Sequence, residues 1–69
     1  MTNPEILDFM ASRLDAPVAA EMPIHDLPCD SLEYLDLIVA LEDASGVDME
    51  EGKQAEFSTV GELAEYFTC

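Results

Sequence analysis

The residues with chemical potential gather in "HDLPCDSL", residues 25–32: a histidine, a thiol, and a serine set between an aspartate and a leucine. A serine hydroxyl acts as a nucleophile when a base and an orienting group converge on it. His25 is the only histidine of the chain and stands in a proline-interrupted stretch. No nucleophile–base–orienter set can be assembled around it, so no catalytic residue is assigned. Cys29 and Cys69 lie far apart and form neither a metal-ligand nor a dithiol motif, which reads as idle thiols in a reducing cytosol. Cys29 is expected to fill a small site beside the loop. The acidic "DMEEG" at 48–52 invites a calcium reading, but counting from Asp48 its glycine falls fifth, where an EF-hand loop needs it sixth. No metal site is expected there beyond nonspecific divalent relief of carboxylate repulsion. What remains is Asp30-Ser31-Leu32, a serine at a helix start that another enzyme could reach.

The elements that must position Ser31 are helical. Ile6, Leu7, Met10 and Leu14 recur at helical spacing and predict a first helix from about Pro4 to Leu14, with Asn3 as its cap. Residues 15–30 read as a long loop broken by Pro17, Pro23 and Pro28, anchored by Val18, Met22, Ile24 and Leu27. Asp30 caps a second helix over about Ser31–Ser45, with Glu33 to answer it and Gly46 to end it. A short helical turn is expected near Lys53–Glu56. Thr59 then caps a last helix, with Glu62 as its capping-box partner, that buries Val60, Leu63, Ala64 and Phe67. No segment sustains period-two alternation. The fold class is all-α: one domain over residues 1–69, a small bundle of three main helices plus one short helix.

Sixteen Asp and Glu against Arg13 and Lys53 give a formal net charge of −14. Such a surface repels nucleic-acid phosphates and anionic membranes, and is steered instead towards proteins with basic patches. At 49% hydrophobic residues the chain is too apolar to stay disordered despite that charge. No basic region followed by an apolar run marks a signal peptide, and no apolar stretch is long enough to span a bilayer, so a cytoplasmic location is expected.

The second helix carries more apolar surface than one core contact needs. At about 100° per residue, Tyr34, Leu37, Ile38, Leu41 and Ala44 form a core stripe, while Leu32, Leu35 and Val39 fall nearly opposite. Asp36, Glu42 and Asp43 flank this second row and Ser31 stands at its N-terminal end. The row could pack under the long loop. Left exposed inside an acidic rim, it has the make-up of a transient docking strip for a basic partner.

At these residues the sequence resembles the acyl carrier proteins and their peptidyl and aminoacyl carrier relatives. Asp30-Ser31-Leu32 opens the match, which runs on through "LIVALEDASGVDM" and "FSTVGELAEYF", over roughly residues 24–67. The resemblance implies an acyl-carrier-like bundle that is not itself an enzyme and is expected to be monomeric. It implies that Ser31 carries 4′-phosphopantetheine, delivered from coenzyme A by a magnesium-dependent phosphopantetheinyl transferase, and that the arm's thiol holds acyl cargo as a thioester. Asp30 matches the aspartate that assists this transfer. Leu32, Glu33, Leu35, Asp36, Val39, Glu42 and Asp43 match the helix that the transferase, loading enzymes and downstream synthases recognise. The pathway it implies is fatty-acid, polyketide or a related biosynthesis. A carrier of aminoacyl or peptidyl cargo stays open as an alternative, as does an unmodified acidic interaction module.

The sequence departs from the family pattern at named positions. Pro28 replaces the glycine often found before the signature, and the loop between the first two helices is several residues shorter than in the fatty-acid carriers. Tyr34 stands where that group has a smaller side chain, and Ser45 where it commonly has an aromatic. Bulk at Tyr34 is expected to narrow any interior pocket, which favours cargo that is short, polar or left outside.

Overall fold

The computed structural model describes residues 1–68; Cys69 lies outside the described residues. Helices α1 (Asn3–Leu14), α2 (Ser31–Ser45) and α3 (Val60–Phe67) surround one core, with 3-10 turns at Ile24–Asp26 and Lys53–Ala55. The described residues contain no strand, only an isolated bridge between Pro23 and Thr59. The all-α expectation is met, and the short fourth helix is the single turn at Lys53–Ala55.

Each helix start follows from its local sequence, with one correction. The cap of α1 is Thr2, and Asn3 is already helical. Thr2 and Glu5 have the spacing of a capping box: the Thr2 hydroxyl accepts from the Glu5 N–H at 3.4 Å, and the Glu5 carboxylate accepts from the Thr2 N–H at 2.8 Å. That reciprocal bond outcompetes the amide of Asn3. At α2 the Asp30 carboxylate accepts from the Glu33 N–H at 2.8 Å. Glu33 gives no return bond, so the cap is one-sided, and Gly46 closes the helix in the left-handed region at φ 76°. At α3, Thr59 and Glu62 form the expected capping box, and Glu62 also accepts from the Ser58 N–H.

The core is Ile6 and Met10 of α1, Leu27 of the loop, Leu37, Ile38 and Leu41 of α2, and Val60, Leu63, Ala64 and Phe67 of α3. The predicted stripe on α2 holds at its centre and fails at its end. Each i+3 step drifts back by about 60° around a helix, so the steps from Ile38 through Leu41 carry Ala44 to solvent. Ser45 turns inward instead, its hydroxyl donating to the Leu41 carbonyl at 2.7 Å and accepting from the Val47 N–H at 3.2 Å.

The long loop is fixed by backbone bonds to the start of α3. Ile24 N–H donates to the Ser58 carbonyl at 3.0 Å, Val60 N–H to Met22 at 2.9 Å, and Gly61 N–H to Ala20 at 2.8 Å. The last two satisfy first-turn amides of α3 that no helix can satisfy internally. Gly61 is the residue that permits this approach, because a Cβ there would stand 3.0 Å from the Ala20 carbonyl oxygen and 3.3 Å from its Cβ. In a free helix Gly→Ala gains about 1 kcal/mol, whereas crowding a packed contact costs about 1–3 kcal/mol. Gly61→Ala is therefore expected to lower the thermal midpoint rather than raise it, read by circular dichroism; a raised midpoint would show that the loop yields freely at Ala20.

Candidate functional site

Ser31 is the first residue of α2 and is exposed. Its hydroxyl makes no hydrogen bond among the described residues, because the capping role has been taken by Asp30. The amides of this first turn point outward at the positive end of the helix dipole, which suits an anionic group esterified at this position. His25 lies in the Ile24–Asp26 turn, exposed and 3.5 Å from its neighbour Asp26.

Down the helix from Ser31, Leu32, Leu35 and Val39 are 70%, 43% and 55% exposed, and they are the exposed large hydrophobics of the described residues. The alternative in which the long loop covers them is not adopted, since that loop is bound to α3. Asp36 and Asp43 are exposed on one flank of the row. Asp30 and Glu33 stand exposed at its head. Glu42 flanks the other side but is half-buried, and its carboxylate accepts from the Met49 N–H at 2.8 Å. That acid is thus committed to holding the segment after α2, a role its spacing on the helix did not disclose.

Behind the strip, Tyr34 is half-buried and its hydroxyl donates to the Gln54 carbonyl at 2.8 Å, tying α2 to the Lys53–Ala55 turn. Burial, and secondarily the nearby Cys29 sulfur, push the phenol up to about 12. Cys29 packs against the core, as its place beside the loop suggested. Burial first, then the charges of Glu33 and Asp30, raise its thiol, which keeps it protonated and a poor nucleophile. Arg13, which helical spacing alone does not place here, lines a cleft between α1 and α2 with Leu14, Glu33, Asp36 and Leu37. Among the described residues no group of three or more His, Cys, Asp or Glu is placed to hold a metal ion. No described helix is long and apolar enough to cross a membrane.

An exposed serine with an unengaged hydroxyl, heading a helix with an acid-flanked apolar row, is the geometry of a modification and docking site. A family model described as the phosphopantetheine attachment site matches residues 4–67. The chain belongs to the acyl carrier protein family. A relative, acyl carrier protein 3 of Ralstonia nicotianae, is 35% identical, with 96% of this chain and 85% of that protein covered. As a carrier protein the chain takes phosphopantetheine as its prosthetic group. When bound, the group supplies a thiol on a mobile arm.

The burial of Tyr34 sets a pH dependence. A phenol whose pKa is higher folded than unfolded contributes stability that is complete below its unfolded value and disappears as pH rises through the folded one. Stability should therefore fall between about pH 10 and 12 through Tyr34. In a Tyr66→Phe background, phenolate absorbance should appear near pH 12 in the folded protein and near pH 10 in denaturant. Tyr34→Phe should remove this dependence and cost about 0.5–1.5 kcal/mol at neutral pH. A folded phenol that ionises near pH 10 would mean the Tyr34 ring is not buried in solution.

Proposed function

We propose that the protein is an acyl carrier in which Ser31 bears the 4′-phosphopantetheine arm, presenting thioester intermediates to the enzymes of a fatty-acid, polyketide or related pathway. The observation that carries this reading is the free, exposed Ser31 hydroxyl at the head of the Leu32–Leu35–Val39 row. In loading, the Ser31 oxygen forms a bond to the β-phosphorus of coenzyme A. The pyrophosphate bond breaks, adenosine 3′,5′-bisphosphate leaves, and the transferase takes the hydroxyl proton. The chain needs no base of its own for this. Asp30, the neighbour of the acceptor serine, shapes the first turn through the Glu33 N–H and is assigned the assisting role.

Leu32, Leu35 and Val39 supply short-range contact in docking, and Glu33, Asp36, Glu42 and Asp43 supply steering charge. Acyl cargo is favoured over aminoacyl or peptidyl cargo by the heavy acid load and by the likeness to acyl carrier protein 3 of Ralstonia nicotianae. The Tyr34 ring, drawn across to the Lys53–Ala55 turn, supports cargo that is short, polar or held outside. A long acyl chain protected from solvent inside the loaded, folded protein would sink that cargo assignment. The protein is read as cytoplasmic and monomeric, a tether rather than a catalyst.

Incubation with coenzyme A, magnesium and a broad-specificity phosphopantetheinyl transferase is expected to add one phosphopantetheine mass to the wild type and none to Ser31→Ala. An arm that persists in Ser31→Ala, or no arm on the wild type, would defeat the assignment and favour the unmodified interaction module. For docking, Asp36→Lys is the clean charge reversal, since the Asp36 carboxylate is exposed and makes no hydrogen bond among the described residues. It should weaken partner binding and flatten its salt dependence with helicity unchanged. Glu42→Lys should do the same and also free the Met49 amide to exchange, because that carboxylate is its acceptor.

A further inference from the structure

The fold treats its two cations differently. Lys53 is held 3.4 Å from Glu56 and lies over the Phe57 ring. Arg13, exposed in the last turn of α1, lies over the Phe9 ring at 5.8 Å and forms no ion pair among the described residues. It nevertheless lines a cleft of about 140 Å³ whose α2 wall carries Glu33 and Asp36, over an apolar floor of Leu14 and Leu37. A guanidinium beside two carboxylates that it does not grip is a positive mark on the acidic flank of the docking strip.

We propose that this cleft is a charge-reading subsite for the transferase that loads Ser31, with a carboxylate side chain of that enzyme seated on Arg13 while its basic residues meet Glu33 and Asp36. The inference rests on Ser31 being the attachment point. The transferase is the occupant because it alone among the partners must work on the serine hydroxyl itself, so its footprint covers the first turn of α2. Glu33 lies on that turn. Enzymes acting on the thiol meet their target at the far end of the arm. Charge sets the sign of the contact. A uniformly basic surface laid over this flank would push against the guanidinium as the cleft dries. A carboxylate there pairs with it, and the planar fork of arginine accepts such a partner through two parallel bonds. The cleft thus selects a docking face of mixed charge over one that is merely basic.

The two readings of the acidic surface give opposite signs in one experiment. The probes are coenzyme A and the transferase, with kcat/KM for arm loading measured on wild type, Arg13→Lys, Arg13→Ala and Arg13→Glu, and Ser31→Ala as the blank. If Arg13 meets a carboxylate, Arg13→Ala should lower kcat/KM by about two- to fivefold, and Arg13→Glu should lower it by about tenfold or more. The loss should sit mainly in KM and shrink with added salt, and Arg13→Lys, which keeps the charge but not the paired bonds, should restore only part of it. If the surface is read as undifferentiated acid, Arg13→Glu strengthens it and loads as well as wild type or better, which overturns the proposal. Arg13 also complements the C-terminal dipole of α1. If Arg13→Glu loosens the helix by circular dichroism, the comparison of Arg13→Gln with Arg13→Lys decides: equal loading by these two overturns the subsite. Failure of the wild type to accept any arm is a different result and removes the Ser31 assignment instead.

Discussion

Residues 15–30 have two apolar surfaces within reach, the start of α3 and the second row of α2, and backbone hydrogen bonding decides between them. The first-turn amides of α3 have no helical acceptor, and each left unpaired and buried would cost about 1–3 kcal/mol. Met22 and Ala20 supply carbonyls at 2.9 and 2.8 Å, and Ile24 returns an N–H to Ser58. A loop laid over Leu32, Leu35 and Val39 would gain apolar contact but would leave those amides without partners. The pairing holds because residue 61 is glycine, which lets the two backbones close to contact. The exposure of the α2 row is thus a consequence of how α3 is started.

The same economy governs the carboxylates. With sixteen acids and two cations, ion pairing cannot hold the surface together. Acids are used instead as acceptors for backbone amides: Glu5 for Thr2, Asp30 for Glu33, Glu62 for Ser58 and Thr59, Glu42 for Met49. Each such bond fixes a helix end or a loop without needing a positive side chain. The remaining acids stay in water, where their mutual repulsion is softened by salt, with a screening length of about 8 Å at physiological ionic strength. The local acidity around Ser31 is therefore not balanced from within. It is available to a partner.

Much of this was legible in the sequence because it depends on short-range pattern. Thr59 with Glu62, Gly46 after α2, and the i, i+3, i+4 recurrence of Leu37, Ile38 and Leu41 are local signals that tertiary packing did not override. Thr2 was equally readable, since Thr2 and Glu5 have the same spacing as Thr59 and Glu62; the preference for an amide at the cap hid it. What could not be read joins segments far apart in the chain. Tyr34 meets the Gln54 carbonyl, Glu42 holds the Met49 amide, and Arg13 is brought to Glu33 and Asp36. Periodicity places a residue on a face but does not say which segment arrives opposite. Hence Glu42 reads as a free docking acid on the helical wheel and is half-buried in the folded chain.

The small size of the exposed row carries a consequence for how a carrier works. Three aliphatic side chains, each only partly freed from solvent, offer far less contact than a stable interface buries, which is about 800 Å² per partner. Affinity drawn from such a patch stays modest, and charge adds more to the rate of encounter than to its lifetime. A tether that must visit several enzymes in turn needs that balance, with fast capture, correct orientation and easy release. Enlarging the apolar row would lengthen each visit and expose more sticky surface on a domain with little stability to spare. Selectivity among visitors then has to come from the arrangement of charge around the row. In the docking proposed above, a single cation on one flank discriminates more sharply than another carboxylate would, because it repels the basic residues that the surrounding acids attract.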